Sequence, residues 1–169
     1  SYARPSKPKP KPISVRGIVD EVLGLFAERA RKQRVSVEVK VPEGLGVVAD
    51  PNQLQQVLIN LVLNALEAMP KGGRLTVEAG VSSIVNPSWG KPYVYLKVAD
   101  TGVGIPAEAL QKIFYPFYST KPEGTGLGLF VVYQLVRENG GMVEVNSKLG
   151  EGTVFTLYLK PENGEGTSR

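Results

Sequence analysis

The chain has 169 residues, 42% hydrophobic and 21% charged, enough for one domain with a substantial core and too few for a second complete one. Much of its formal excess of +4 sits in Arg4, Lys7, Lys9 and Lys11, which leaves the rest near neutral and argues against a nucleic-acid face. With no cysteine and no histidine, disulfides, thiol ligands, zinc sites of the usual kind and Ser-His-Asp chemistry are all excluded.

Chemistry is therefore left to carboxylates, amides, lysine, a hard metal ion or a group brought by a partner. No apolar run approaches the roughly 18 residues of a membrane span, and no signal-peptide pattern opens the chain. A soluble, cytoplasmic segment without direct membrane contact is expected.

Residues 1–12, SYARPSKPKPKP, carry four prolines at near-alternate positions, a composition that favours extended polyproline II. They are expected to be a linker arriving from an upstream domain. From Ser14, a plausible N-cap, Val15, Ile18, Val19, Val22, Leu25 and Phe26 recur at helical spacing. Val35, Val37, Val39 and Val41 then alternate with polar residues, the period of a half-buried strand. A short apolar piece at 47–49 leads to Asp50-Pro51, an N-cap with proline at the first helical position. The helix beginning there, over 53–69, buries Leu54, Val57, Leu58, Leu61, Val62 and Leu66. Asn60 and Asn64 interrupt its apolar pattern four residues apart, on one face. An amide carbonyl there is a candidate oxygen ligand for Mg2+.

Strands are expected at 74–85 and 93–98, joined by a loop in which Trp89 is an anchor, then a short helix from Pro106 through Ile113. A helix at 125–139 and two strands at 142–147 and 153–160 follow, and the tail 161–169 is expected to carry no regular structure. Elements in this segregated order suit an α+β two-layer sandwich, a mixed, largely antiparallel sheet covered on one face by helices.

Two glycine clusters stand out. Asp100-Thr101-Gly102-Val103-Gly104 ends a strand with a carboxylate and offers glycines that let a ligand ring approach the backbone. Gly124-Thr125-Gly126-Leu127-Gly128 runs into an apolar helical pattern, where backbone N–H groups at a helix start can hold phosphate. The glycine spacing does not give the dinucleotide fingerprint, and no GxxxxGK[ST] run exists.

With Asn60-Leu61-Val62-Leu63-Asn64-Ala65 and Phe114-Tyr115-Pro116-Phe117, these clusters resemble, in order, the N, G1, F and G2 boxes of the ATP-binding catalytic domain of sensor histidine kinases. That family belongs to a superfamily shared with gyrase, the Hsp90 chaperone and MutL, whose members have the Bergerat-type fold. The resemblance spans 13–160 and includes the later turn at Gly150, Gly152 and Thr153.

The resemblance implies roles for individual residues. Asp100 would accept from the adenine amine, with Gly102 and Gly104 allowing close approach and Thr153 supporting the base. Asn64 would coordinate Mg2+, assisted by Asn60, directly or through water. Gly124, Thr125, Gly126, Leu127 and Gly128 would meet the phosphates. Residues 118–124, including Tyr118 and Thr120, would form a short lid in which Lys121 faces the γ-phosphate. Where many members carry lysine three positions after the second asparagine, this chain has Glu67.

The implied activity is transfer of the γ-phosphoryl of Mg-ATP to a histidine on a separate helical dimerisation domain. Because the chain has no histidine and opens on a proline-rich segment, it is expected to be a monomeric catalytic piece that needs that domain for activity and a response regulator receiver domain downstream. The alternatives are an ATPase or conformational clamp of the same superfamily, a serine kinase within it, or a non-enzymatic docking module. Asn60 stands where the ATPases place a glutamate base, which weighs against hydrolysis.

Overall fold

The computed structural model describes residues 7–119 and 127–162. In chain order they form β1 (Lys11–Ser14), α1 (Val15–Lys32), β2 (Val35–Lys40), β3 (Gly46–Ala49), α2 (Pro51–Glu67), β4 (Gly73–Asn86), β5 (Lys91–Asp100), α3 (Gly128–Glu138), β6 (Met142–Lys148) and β7 (Gly152–Leu159). The five-stranded sheet has the order β2-β4-β5-β7-β6. Only the β2–β4 pairing is parallel; the other three are antiparallel. The α+β, mostly antiparallel architecture expected from the element order is the one observed.

Cross-strand register arranges the inward side chains in rows. Val77, Val98, Phe155 and Val145 form one row, and Ala79, Leu96, Leu157 and Val143 the next. Both rows are apolar and pack under the helices with Val19, Val22, Leu58, Leu61 and Val62. Burying such side chains is worth roughly 1.5–3 kcal/mol each against an exposed reference, so these rows fix which face of β4, β5, β7 and β6 points inward. The next row toward one sheet end is Leu75, Asp100, Thr153 and Ser147. Three of its four members are polar, and the candidate site lies there.

The sheet leaves the proline-rich start in an unexpected place. Lys11–Ser14 pairs antiparallel with Gly46–Ala49 in a separate two-stranded sheet, so Lys11 and Pro12 are strand residues rather than extended linker. Proline is tolerated because a two-stranded ribbon has an outer side on which its missing N–H is not needed. Asp50 secures this corner. Its carboxylate accepts from the backbone N–H of Lys9 at 2.9 Å, Asn52 at 3.0 Å and Gln53 at 3.1 Å, and its own N–H donates to Asn139 Oδ1 at 2.8 Å. One N-cap thus joins the segment before β1, the start of α2 and the end of α3.

Two helical expectations differ from the structure. Residues 106–113 contain only a 3-10 turn, Ala107–Ala109, followed by irregular turns, because Ala109 and Ile113 supply too little apolar periodicity for a packed helix. The helix expected at 125–139 is described from Gly128. Trp89 does anchor its loop, with its ring edge-on to Tyr93 at 5.0 Å between centroids. No helix among the described residues is long and apolar enough to cross a membrane.

Candidate nucleotide site

Asp100 ends β5 at the polar row and is 7% exposed. Burial pushes its carboxyl above the ordinary value of 3.8, and the backbone N–H groups of Gly102 and Thr153 oppose that rise. The Gly102 N–H reaches Asp100 Oδ1 at 2.8 Å, so the carboxylate folds the loop after its own strand. A buried carboxylate with spare lone pairs is a strong acceptor for a ligand N–H.

The glycines of this loop have a reason that sequence reading did not supply. A Cβ on Gly102 would run into the carbonyl of Ala68, just past the end of α2, and one on Gly104 into the carbonyl of Lys148. Gly104 also has φ +77°, a region that side chains other than glycine's seldom adopt. The loop is clamped on both sides: Val103 N–H donates to Ala68 O at 3.1 Å, and Gly150 N–H donates to Val103 O at 2.7 Å. Close approach of backbone to backbone, rather than of a ligand ring to backbone, is what these two positions visibly require.

On α2, Asn60, Asn64 and Ala68 fall four residues apart and share a helix face. Asn60 Nδ2 donates to the carbonyl of Gly128, the first residue of α3, at 3.1 Å, and Asn60 Oδ1 accepts from Gln56 Nε2 at 2.9 Å. Ala68 holds the loop after Asp100. The stripe therefore runs from the start of α3 to the Asp100 loop over eight residues, about 12 Å of helix, with the half-buried Asn64 midway. Leu127 is the N-cap of α3, and among the described residues nothing lies within 4 Å of where Gly128 would carry a Cβ. A helix start of this kind turns backbone N–H groups toward an approaching anion.

Thr153, paired with Asp100 across β5 and β7, is buried, and its hydroxyl lies 2.8 Å from Ser147 Oγ. Tyr118 is half-buried and packs against the core, as does Phe114, whose ring meets Tyr133 at 5.6 Å and Phe155 at 6.2 Å. Thr120, Lys121, Gly124, Thr125 and Gly126 lie outside the described residues. Sequence reading missed Gln56 and Ser147. The four-residue spacing of Gln56 from Asn60 and the place of Ser147 in the alternation with Val143 and Val145 were the available signals.

Residues 49–163 match the model of the histidine kinase-, DNA gyrase B-, and HSP90-like ATPase family. The chain belongs to this family. Over 163 residues it is 38% identical to sensor histidine kinase ZraS of Klebsiella oxytoca, covering 96% of this chain and 34% of that protein. It resembles the solved catalytic domain of histidine kinase ThkA with a TM-score of 0.77 and 31% identity, covering 89% of this chain and 97% of that one. Full-length ShkA, solved with AMPPNP, gives a TM-score of 0.77 at 28% identity over 91% of this chain and 32% of its own. ThkA has also been solved in complex with the response regulator TrrA; that structure gives a TM-score of 0.74 at 28% identity, over 90% of this chain and 42% of that one. The chain spans about a third of the length of ZraS. ATP is the nucleotide of this ATPase family, and the sensor histidine kinases are the members to which this chain is similar.

The fit of a metal ion depends on the donors present. Among the described residues there is no group of three or more acidic, histidine or cysteine side chains that could cage one. A Mg2+ ion that takes one or two amide oxygens and completes its shell with phosphates and water needs no such cage. Asn60 and Asn64, between the start of α3 and the Asp100 loop, fit that mode.

Proposed function

We propose that this chain is the catalytic domain of a sensor histidine kinase: it binds Mg-ATP between Asp100 and the start of α3 and gives the γ-phosphoryl to a histidine on a separate helical dimerisation domain. The observation that carries the reading is the Asn60, Asn64 and Ala68 stripe of α2, which links the start of α3 to the carboxylate loop along about 12 Å. An extended nucleotide needs that arrangement, with its base at one end and its phosphates at the other.

In this reading the Asp100 carboxylate accepts from the adenine amine, and Thr153 supports the base beside it. Asn64, assisted by Asn60, holds Mg2+, which neutralises phosphate charge when bound. Leu127 and Gly128, with Gly124, Thr125 and Gly126, present backbone N–H groups to the phosphates. Tyr118 and Thr120 belong to the lid, and Lys121 meets the γ-phosphate. Phosphoryl transfer is chiefly positioning and charge neutralisation, so a domain can supply all of this and still require its acceptor from outside. The chain's lack of histidine assigns the acceptor to another domain, and a response regulator receiver domain is the next recipient. The residues before β1 connect to that dimerisation domain, the piece is monomeric without it, and it works in the cytoplasm.

Asn60 favours transfer over hydrolysis, because an amide cannot take a proton from water. The test combines the chain with labelled ATP and a separately made dimerisation domain. Acid-labile phosphohistidine on the added domain is expected. Free phosphate released at the same rate with and without that domain would instead assign an ATPase.

A further inference from the structure

The hydroxyl of Ser147 is a junction of three contacts. It accepts from the Ile105 N–H at 2.8 Å, donates to the Gly152 carbonyl at 2.9 Å and lies 2.8 Å from Thr153 Oγ1. A serine hydroxyl has one proton and two acceptor sites. The Gly152 carbonyl can only accept, so that contact uses the Ser147 proton. The Ile105 N–H uses one lone pair. The remaining lone pair faces Thr153, and only the Thr153 proton can fill it. Every hydrogen-bonding capacity of Ser147 is then satisfied. Thr153, its proton turned toward β6, has only lone pairs for anything else. Its neighbour across the ladder, Asp100, is a carboxylate and likewise only accepts.

We infer that Ser147 sets the purine specificity of the nucleotide site: by taking the Thr153 proton it makes Thr153 and Asp100 a pair of acceptors, suited to a 6-amino purine and opposed to a 6-oxo purine. The inference rests on the adenine-site reading above. A 6-amino group brings two N–H donors to such a pair. A 6-oxo group brings a carbonyl oxygen, which would face acceptors without a proton between them, and leaving buried polar groups unpaired is costly. Without the Ser147 hydroxyl, Thr153 is free to turn its proton toward the ligand and accommodate the 6-oxo group. Ser147 is a positioning residue, acting on the ligand through Thr153.

The polarity role and a purely structural one differ in what they change. If Ser147 only held Ile105 against the β6–β7 hairpin, its loss would weaken adenosine and inosine diphosphates alike. The polarity role changes their ratio. Binding of ADP and IDP to the 169-residue chain, measured by calorimetry with Mg2+ present, separates the two. Wild type is expected to prefer ADP, and Ser147→Ala to lower that preference about tenfold, the effect of exchanging one buried hydrogen bond. Ser147→Cys, which fills the site with a slightly larger group whose sulfur is only a weak acceptor, is expected to do the same should the alanine variant fail to fold. Ser147→Thr, which keeps the hydroxyl, should retain the wild-type ratio, and in a Thr153→Val background Ser147→Ala should leave the ratio unchanged.

A wild-type preference for ADP that survives intact in Ser147→Ala or Ser147→Cys overturns the inference while leaving the adenine site standing, and so does loss of the preference in Ser147→Thr. Failure of wild type to bind either nucleotide removes the adenine-site reading and this inference with it.

Discussion

The Nδ2 of Asn60, on α2, donates to the main-chain oxygen of Gly128, the residue that opens α3, at 3.1 Å across 68 positions of sequence. An asparagine at this place therefore tethers the start of α3 to α2 whether or not it also meets a metal ion. Asn64, one turn on, is proposed as the metal ligand. The two substitutions should consequently behave differently. Asn60→Ala is expected to weaken ADP binding both with Mg2+ and in EDTA, and to lower stability by about 0.5–1 kcal/mol through the lost tether. Asn64→Ala is expected to weaken binding chiefly when Mg2+ is present. Titration of each variant under the two conditions checks this, and an equal loss for Asn64→Ala in EDTA would contradict its metal role.

Asp100, the proposed acceptor for the base, carries a cost to the fold. Its carboxyl is raised above 3.8, mainly by burial, so between 3.8 and the folded value the native state holds a proton that the unfolded chain has released. The stability associated with this group is fully present below 3.8 and is lost as pH rises through the folded value. At pH 7 the charged carboxylate thus opposes folding. Asp100→Asn is expected to keep a nucleotide-free Tm at pH 7 no lower than wild type, while ADP affinity falls at least about tenfold, or 1.4 kcal/mol, for want of the charge-assisted bond. A Tm several degrees below wild type, or unchanged affinity, would contradict this account.

How much of this was legible in sequence depended on the distance over which each signal acts. The N-cap at Asp50, the proline after it and the apolar spacing of Leu54, Val57, Leu58 and Leu61 are local, and α2 begins where they place it. The strand Lys11–Ser14 was hidden because alternating prolines speak for extended chain, while its partner Gly46–Ala49 lies more than thirty residues on. Ser147 was hidden for a related reason: its hydroxyl matters only once register sets it opposite Thr153 and under Ile105. Gly102 and Gly104 were conspicuous as glycines, but the carbonyls of Ala68 and Lys148 that require them come from elsewhere in the chain.

Those two glycines make a separate prediction. A methyl at Gly104 meets the Lys148 carbonyl in a backbone conformation with φ +77°, so strain and collision add. Gly104→Ala is expected to cost more than about 1 kcal/mol, and to weaken nucleotide binding because the loop that follows Asp100 must move. At Gly102 the collision is with Ala68, and the Val103 to Ala68 bond is what Gly102→Ala should break. Urea unfolding of both variants, with hydrogen exchange at the Val103 amide, measures the effect. Wild-type protection of that amide in Gly102→Ala would show that the loop has room the packing denies.

At the other end of α2, the electrostatic sign is reversed. The Asp50 carboxylate is held below its ordinary 3.8, first by the Lys9 N–H and then by the N–H groups of Gln53 and Asn52, against the opposing effect of burial. A depressed carboxyl contributes stability above its unfolded value and loses it as pH falls through the lower folded value. Asp50→Ala removes an N-cap and should cost about 0.5–2 kcal/mol at pH 7 from the cap alone, with further loss because Lys9 and the β1–β3 ribbon lose their anchor. Asp50→Asn keeps an oxygen acceptor for α2 and removes only the charge. Its deficit against wild type should therefore be clear at pH 7 and shrink steadily as the pH is lowered below 3.8. Denaturation midpoints of wild type and Asp50→Asn across that range measure the charge contribution, and a deficit that grows on acidification would mean that the carboxylate does not stabilise this corner.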